Sequence, residues 1–201
     1  MLFFHGSLVK GVRMEYNEYL QSTLRAFQAM NSLDRDISLA LELMEKSVSQ
    51  GGTLYFCGNG GSAADSQHWA AEFVGRFRVN GKPLPAIALT CNTSILTAIA
   101  NDFSYDSVFS RQVEATGRPG DLLIAITTSG NSKSILEAAK IAQSIGMKVI
   151  GFTGESGGEL KNQSEVCLKV PSEVTEIIQH IHITLGHYFA GELERKFRIK
   201  R

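Results

Sequence analysis

His68 and Glu72 stand four residues apart in the run CGNGGSAADSQHWAAEFVGR (57–76), so on a helix they lie one above the other on a single face. An imidazole and a carboxylate so placed suit proton transfer or metal ligation, although the HExxH pattern of zinc helices is absent. The same pair is also a common hydrogen-bonded surface contact. Its interest comes from the glycine-rich turn GNGGS (58–62) directly ahead, which puts the pair within about two helical turns of anything that turn binds. A second polar group sits in the last apolar stretch, TEIIQHIHITLGHYFAGEL (175–193). At about 100° per residue, Glu176, Gln179, Ile183 and His187 fall in a sector of roughly 80°. Polar groups that share a face with core residues need partners, so this sector is expected to line a site or an interface. His180 borders the sector and His182 points elsewhere; both read as structural or interfacial.

Two loops can hold a ligand beside these groups. GNGGS lacks the third glycine of a dinucleotide fingerprint, and the next strand ends Thr90-Cys91-Asn92 with no carboxylate for a ribose, which argues against a nicotinamide cofactor. No G-K-[ST] occurs, so the Walker pattern fails too. What remains is a backbone turn whose N–H groups, with the Asn59 side chain, approach a polar ligand closely; the plain alternative is a tight turn with Ser62 as helix cap. The second loop, TTSGNS (127–132), places the hydroxyls of Thr127, Thr128, Ser129 and Ser132 at the start of a helix. Backbone N–H groups and the helix dipole favour an anion there, and hydroxyls suit a phosphomonoester that must enter and leave. Ser132 as a simple N-cap is the alternative.

These residues need a frame. The 201 residues, 43% of them apolar, suffice for one buried core. Apolar spacing over 15–50 predicts one or two helices. Strands are expected at 53–58, 85–90, 121–128, 147–154 and 165–170, with helices through His68 and Phe77, at about 94–100 and 105–116, over 134–145, and from about 173 onward. The strands are continuous apolar runs, as when helices cover both faces. The fold class is therefore α/β, a three-layer doubly wound parallel sheet of about five strands with an added N-terminal helical segment. In such sheets ligands bind beyond the carboxyl ends of the strands, where both loops lie.

Twenty basic and twenty acidic side chains cancel, so nothing points to nucleic acid or an anionic membrane as partner. The basic end ERKFRIKR reads as a solvated helix C-terminus. Cys57, Cys91 and Cys167 form no CxxC pair and read as reduced, mostly buried thiols of a cytoplasmic protein. The first 13 residues, MLFFHGSLVKGVR, read as a start-site extension with too short an apolar run for a signal or a membrane span. The remainder, 14–201, reads as a single domain.

Taken together, GNGGS, HWAAE, NDFSYDSVFS, TTSGNS and the Gln179/His187 helix resemble the sugar isomerase (SIS) domain, and within it the phosphoheptose isomerases. The likeness runs over nearly the whole chain from about Met14. TTSGNS alone marks only a SIS domain; the set His68, Glu72, Gln179 and His187 makes the match specific. The resemblance implies the SIS fold and the interconversion of sedoheptulose 7-phosphate and D-glycero-D-manno-heptose 7-phosphate through an enediol, feeding nucleotide-activated heptose for lipopolysaccharide or capsule. It implies that Asn59, Gly60, Gly61 and Ser62 line the sugar phosphate and that Thr127, Thr128, Ser129 and Ser132 hold its phosphate. Asn101 and Asp102 would contact the sugar hydroxyls, with Arg76, Glu176 and Gln179 also at the site. His68, Glu72, Gln179 and His187 correspond to zinc ligands, and Glu72 and His187 to the proton-transfer pair. Glu176 departs from the family's more usual Asp, which puts its positioning role in doubt, and Trp69 replaces a more usual Phe and is expected only to pack.

Gln179 and His187 are about 12 Å apart along a helix, a long span for two ligands of one ion. Either both lean inward or another subunit contributes. A homo-oligomer, a tetramer as in the family, is expected. The rivals are a non-catalytic SIS sugar-phosphate sensor, an adaptor that binds a replication initiator, or an isomerase of another sugar phosphate such as arabinose 5-phosphate. A sensor would carry a DNA-binding domain, an adaptor would lose part of the His/Glu/Gln/His set, and the arabinose enzymes carry extra C-terminal domains.

Overall fold

The computed structural model of the chain describes residues 15–199; the N-terminal extension expected over the first 13 residues lies outside them. Two helices, α1 (Tyr16–Ala29) and α2 (Asp34–Ser49), joined by a 3-10 turn at Met30–Leu33, precede the sheet. Then come β1 (Leu54–Gly58), α3 (Gly61–Val74), β2 (Ala86–Ala88), α4 (Thr93–Asp102), α5 (Ser110–Thr116) and β3 (Leu122–Ile126). The chain continues through α6 (Lys133–Ser144), β4 (Lys148–Thr153), β5 (Val166–Lys169) and the long α7 (Thr175–Phe197).

All five strands form one parallel sheet in the order β2-β1-β3-β4-β5. The order reverses between β1 and β3, so a crevice opens beyond the carboxyl ends of those two strands. GNGGS and TTSGNS leave the sheet at this point.

The inner strands β1 and β3 are buried at every position, and their side chains alternate between two cores. Leu54 and Phe56 join Trp69, Phe73, Phe152 and Phe189 beneath α1, α2, α3 and α7. Tyr55 and Cys57 join Val113, Ile135 and Ala139 beneath α4, α5 and α6. The continuous apolar runs thus mark strands covered on both sides. The edge strands differ from the expectation: β2 spans only three residues with a half-open pattern, and β5 is partly exposed, because an edge strand has one neighbour and incomplete cover. The helix expected over 105–116 is interrupted, a 3-10 turn at Tyr105–Ser107 preceding α5. Cys91 is exposed, against the expectation of mostly buried thiols, while Cys57 is buried and Cys167 intermediate.

α3 and α7 lie side by side over the first core, packed closely enough that a Cβ at Gly186 would run into the Trp69 ring. That approach brings the two polar helix faces together. It also buries Trp69, which stands edge-on to Phe152 at 4.9 Å and to Phe56 at 5.9 Å, a packing role as expected.

Candidate active site

The turn after β1 sets the start of the site. Gly60 occupies the N-cap position of α3, so Ser62 is a buried residue of the first turn and not the cap. Gly61 faces α7, and any Cβ there would collide with the Gln179 amide; the glycine is what lets Gln179 rest on the loop. Farther along the same face of α3, His68 Nε2 lies 3.0 Å from Glu72 Oε1. His187 Nε2 of α7 meets His68 Nε2 at 3.1 Å. Ligand atoms of His68, Glu72 and His187 all lie within 4.8 Å of one another. The three come from one chain, so for them no second subunit is required. Glu72 and His68 keep 21% and 47% of their side-chain surface open, which leaves the cluster accessible to a ligand.

The Phe77 ring stacks on His187 with centroids 5.5 Å apart and planes 14° from parallel. One turn before His68, Asp65 has a buried Oδ2 without a hydrogen-bond partner among the described residues. Burial pushes its carboxyl up to about 6, with the nearby His68 opposing the shift.

The glycine turn is tied to α6 and to Tyr105. Asn59 is locked: its Nδ2 donates to Ser134 Oγ at 3.0 Å and its Oδ1 accepts from the Tyr105 hydroxyl at 2.7 Å. Its amide therefore ties the glycine turn to the start of α6, and the turn presents its backbone. In the second loop Thr127 Oγ1 lies 3.0 Å from Ser132 Oγ and 3.4 Å from Ser129 Oγ. Ser132 occupies the N-cap position of α6, yet its side chain makes no capping bond, so the hydroxyl turns into the loop. Thr128 and Ser129 open into a cavity of about 280 Å³ shared with Ser172, Thr175 and Ile178 at the start of α7. Hydroxyls and a helix N-terminus favour a phosphoryl group, and the carboxylates of Glu155 and Glu173, which also line the cavity, oppose it.

The other expected residues are more dispersed. Asn101 and Asp102 close α4, exposed, with the Asn101 amide on the Asp102 carboxylate at 2.8 Å. Arg76 is exposed just past α3 and Glu176 is exposed in the first turn of α7; neither forms a salt bridge among the described residues. His182 is buried with Nε2 3.3 Å from the Thr153 carbonyl, and His180 lies 3.5 Å from the Tyr19 hydroxyl, both structural positions.

Four residues escaped the sequence reading. Tyr105 sat inside a quoted stretch, but its partner is 46 residues away. Phe77 is expected within the helix through His68, but α3 ends at Val74 with Gly75 as its C-cap, and Phe77 lies beyond it. Glu194 and Arg198 belong to the basic end read as solvated; instead they form a buried pair, Arg198 Nη1 to Glu194 Oε1 at 2.9 Å. Burial raises the Glu194 carboxyl, but bonds from Arg78, Val79, Arg198 and Phe77 outweigh it and hold the group below its ordinary value. No local pattern announces such a pair, since its partners are brought by tertiary packing.

The donor set of the cluster fits a cation. Two imidazole nitrogens and a carboxylate oxygen are the ligands zinc takes, at about 2.0–2.2 Å, and tetrahedral ligands at that radius stand roughly 3.3 Å from one another. The 3.0 and 3.1 Å separations are somewhat shorter, and all three ligand atoms lie within 4.8 Å of one another. With or without an ion, the same groups suit acid–base chemistry.

A profile of the SIS domain matches residues 15–154. The phosphoheptose isomerase of Akkermansia muciniphila is 45% identical over 184 residues, 90% of this chain and 97% of that protein. The probable phosphoheptose isomerase of Thermoplasma acidophilum is 49% identical over 92% of this chain and 100% of its own. Among solved structures, a phosphoheptose isomerase from Neisseria gonorrhoeae is 42% identical and superposes with a TM-score of 0.83 over 89% of this chain and 96% of that one.

Proposed function

Because the chain belongs to the phosphoheptose isomerase family of SIS-domain proteins, we propose that it interconverts sedoheptulose 7-phosphate and D-glycero-D-manno-heptose 7-phosphate in heptose synthesis. The observation that carries this reading is the meeting of His68 and Glu72, on the helix that begins at the glycine turn, with His187 of α7.

The phosphate is assigned to Thr127, Thr128, Ser129 and Ser132, where hydroxyls and the start of α6 supply donors. Asn59, Gly60, Gly61 and Ser62 line the sugar, with Arg76, Asn101, Asp102, Glu176 and Gln179 toward its hydroxyls. Glu72 removes the proton from the carbon beside the carbonyl while His187 gives one to the carbonyl oxygen, forming the enediol. The reverse transfers, with the proton returned to the neighbouring carbon, complete the conversion. Each positioned acid or base contributes roughly 10²–10⁴-fold. Glu72 Oε1 faces His68, so its second oxygen is the one offered to substrate.

His68, Glu72 and His187 would hold a metal, zinc by the chemistry of the donors, with Gln179 as the proposed fourth ligand. Zinc bound there would stabilise the developing oxyanion as a Lewis acid. The protein is further assigned to the cytoplasm, as a homotetramer supplying heptose for surface glycans. No described helix is long and apolar enough to cross a membrane.

Incubating the purified protein with sedoheptulose 7-phosphate, with chelator and with added zinc, tests the reading. Aldose should form, and chelation should depress the rate until zinc is restored. Absence of turnover under every metal condition would overturn the assignment.

A further inference from the structure

Beyond the cluster, one buried charge has no counterpart in the mechanism. Glu194, 3% exposed on α7, accepts from three successive backbone donors of the segment that follows α3. Its Oε1 takes Phe77 N at 3.0 Å; its Oε2 takes Arg78 N at 2.8 Å and Val79 N at 3.1 Å. Arg198 fixes the carboxylate through Nη1. The same guanidinium donates from Nε to the Lys82 carbonyl at 3.0 Å and from Nη2 to the Phe73 carbonyl. Phe73 directly follows Glu72, so Arg198 ties the end of α3 to α7, and Glu194 ties the next residues to the same point.

The consequence falls on Phe77. With its backbone held by Glu194, its half-buried ring stacks on the His187 imidazole, and the Arg78 guanidinium lies 4.8 Å from the ring centroid. We propose that Glu194, locked by Arg198, is a positioning residue: it fixes Phe77 against His187 and thereby sets the imidazole over Glu72 and His68. A carboxylate is needed because both oxygens accept, four bonds in all. A glutamine would turn its NH₂ toward one pair of donors, leaving them unpaired in a buried site. Supporting groups of this kind typically change metal affinity or activity by about 10–100-fold.

The inference rests on the isomerase reading for its kinetic arm, and a substrate-free arm separates the two. In the latter, the His187 ring protons of the wild-type protein should show an upfield ring-current shift from Phe77. That shift should disappear in Phe77→Leu, return in Phe77→Tyr, and diminish in Glu194→Gln. In turnover with sedoheptulose 7-phosphate, Phe77→Leu and Glu194→Gln should lower kcat about tenfold or more with KM within about threefold, and Phe77→Tyr should recover most of the loss. Zinc competition against a chromophoric chelator should weaken in parallel. Should Glu194→Gln fail to fold, the Phe77 pair still decides. Unchanged His187 resonances in Phe77→Leu, or wild-type kcat and zinc affinity in both variants, would overturn the proposal. A wild-type protein that shows the ring-current shift but does not isomerise would overturn only the reading of function.

Discussion

Glu72 is proposed both as metal ligand and as base, two assignments that compete for one carboxylate. Oε1 is turned to His68 at 3.0 Å, and the side chain stays partly open. Replacing it by glutamine keeps the size and the hydrogen bond but removes the basic oxygen. Glu72→Gln should therefore lower kcat by about 10²–10⁴-fold with the circular-dichroism spectrum and melting profile retained. Near-normal turnover of a folded variant would remove Glu72 from the base role. The chemistry-bearing types at this scale were legible in the sequence: His68 and Glu72 share a face by spacing alone, and Gln179 and His187 share another. Spacing alone does not bring His68 to His187, an expectation carried only by the resemblance; that Asn59 would be occupied by Tyr105 and Ser134, and that Ser62 would lie inside the helix were not legible. Each depends on a neighbour far along the chain.

α7 carries the burden at the scale of elements. It brings Gln179 to the glycine turn, His187 to the cluster, Glu194 to the segment after α3, and His182 into the core. Burial pushes the His182 imidazole down to about 4, the bond to the Thr153 carbonyl opposing part of the effect. A histidine in the unfolded chain titrates near 6.5. Between those values the unfolded chain binds a proton that the folded protein refuses, so stability falls as pH drops from about 6.5 to 4. The contribution of this one group is at most about 3 kcal/mol. Urea unfolding at pH 7.5, 6.0 and 5.0 should show that decline, and His182→Gln should flatten it. Glu194 adds a second loss at lower pH: its folded-state value is depressed, so its stabilisation is present above about 4.3 and disappears as pH falls through the folded value.

At the scale of the whole molecule, α1 carries an apolar stripe that no described residue covers: Tyr16, Leu20 and Leu24 recur every fourth residue and are 73%, 37% and 44% exposed, a face suited to packing on a second copy. Light scattering should give a mass above that of one 22.0 kDa chain, and Leu20→Glu with Leu24→Glu should lower it while leaving the sheet intact. A wild-type mass equal to one chain would remove the oligomer from the account. The site does not wait on that assembly for its cluster, because His68, Glu72 and His187 all come from one protomer.

The sequence by itself determined the parallel α/β sheet, the two ligand loops and the types of the reacting groups, because periodicity, turn chemistry and helical spacing act over a few residues. Only the tertiary structure decided that α3 and α7 would lie close enough for His68 and His187 to meet, through the space left by Gly186 beside Trp69. It alone drew Glu194 and Arg198 out of the basic stretch into a buried clamp, while Arg195 and Lys196 stay exposed. A side chain's burial is set by what the rest of the fold lays against it, and that information is spread over residues more than a hundred positions apart.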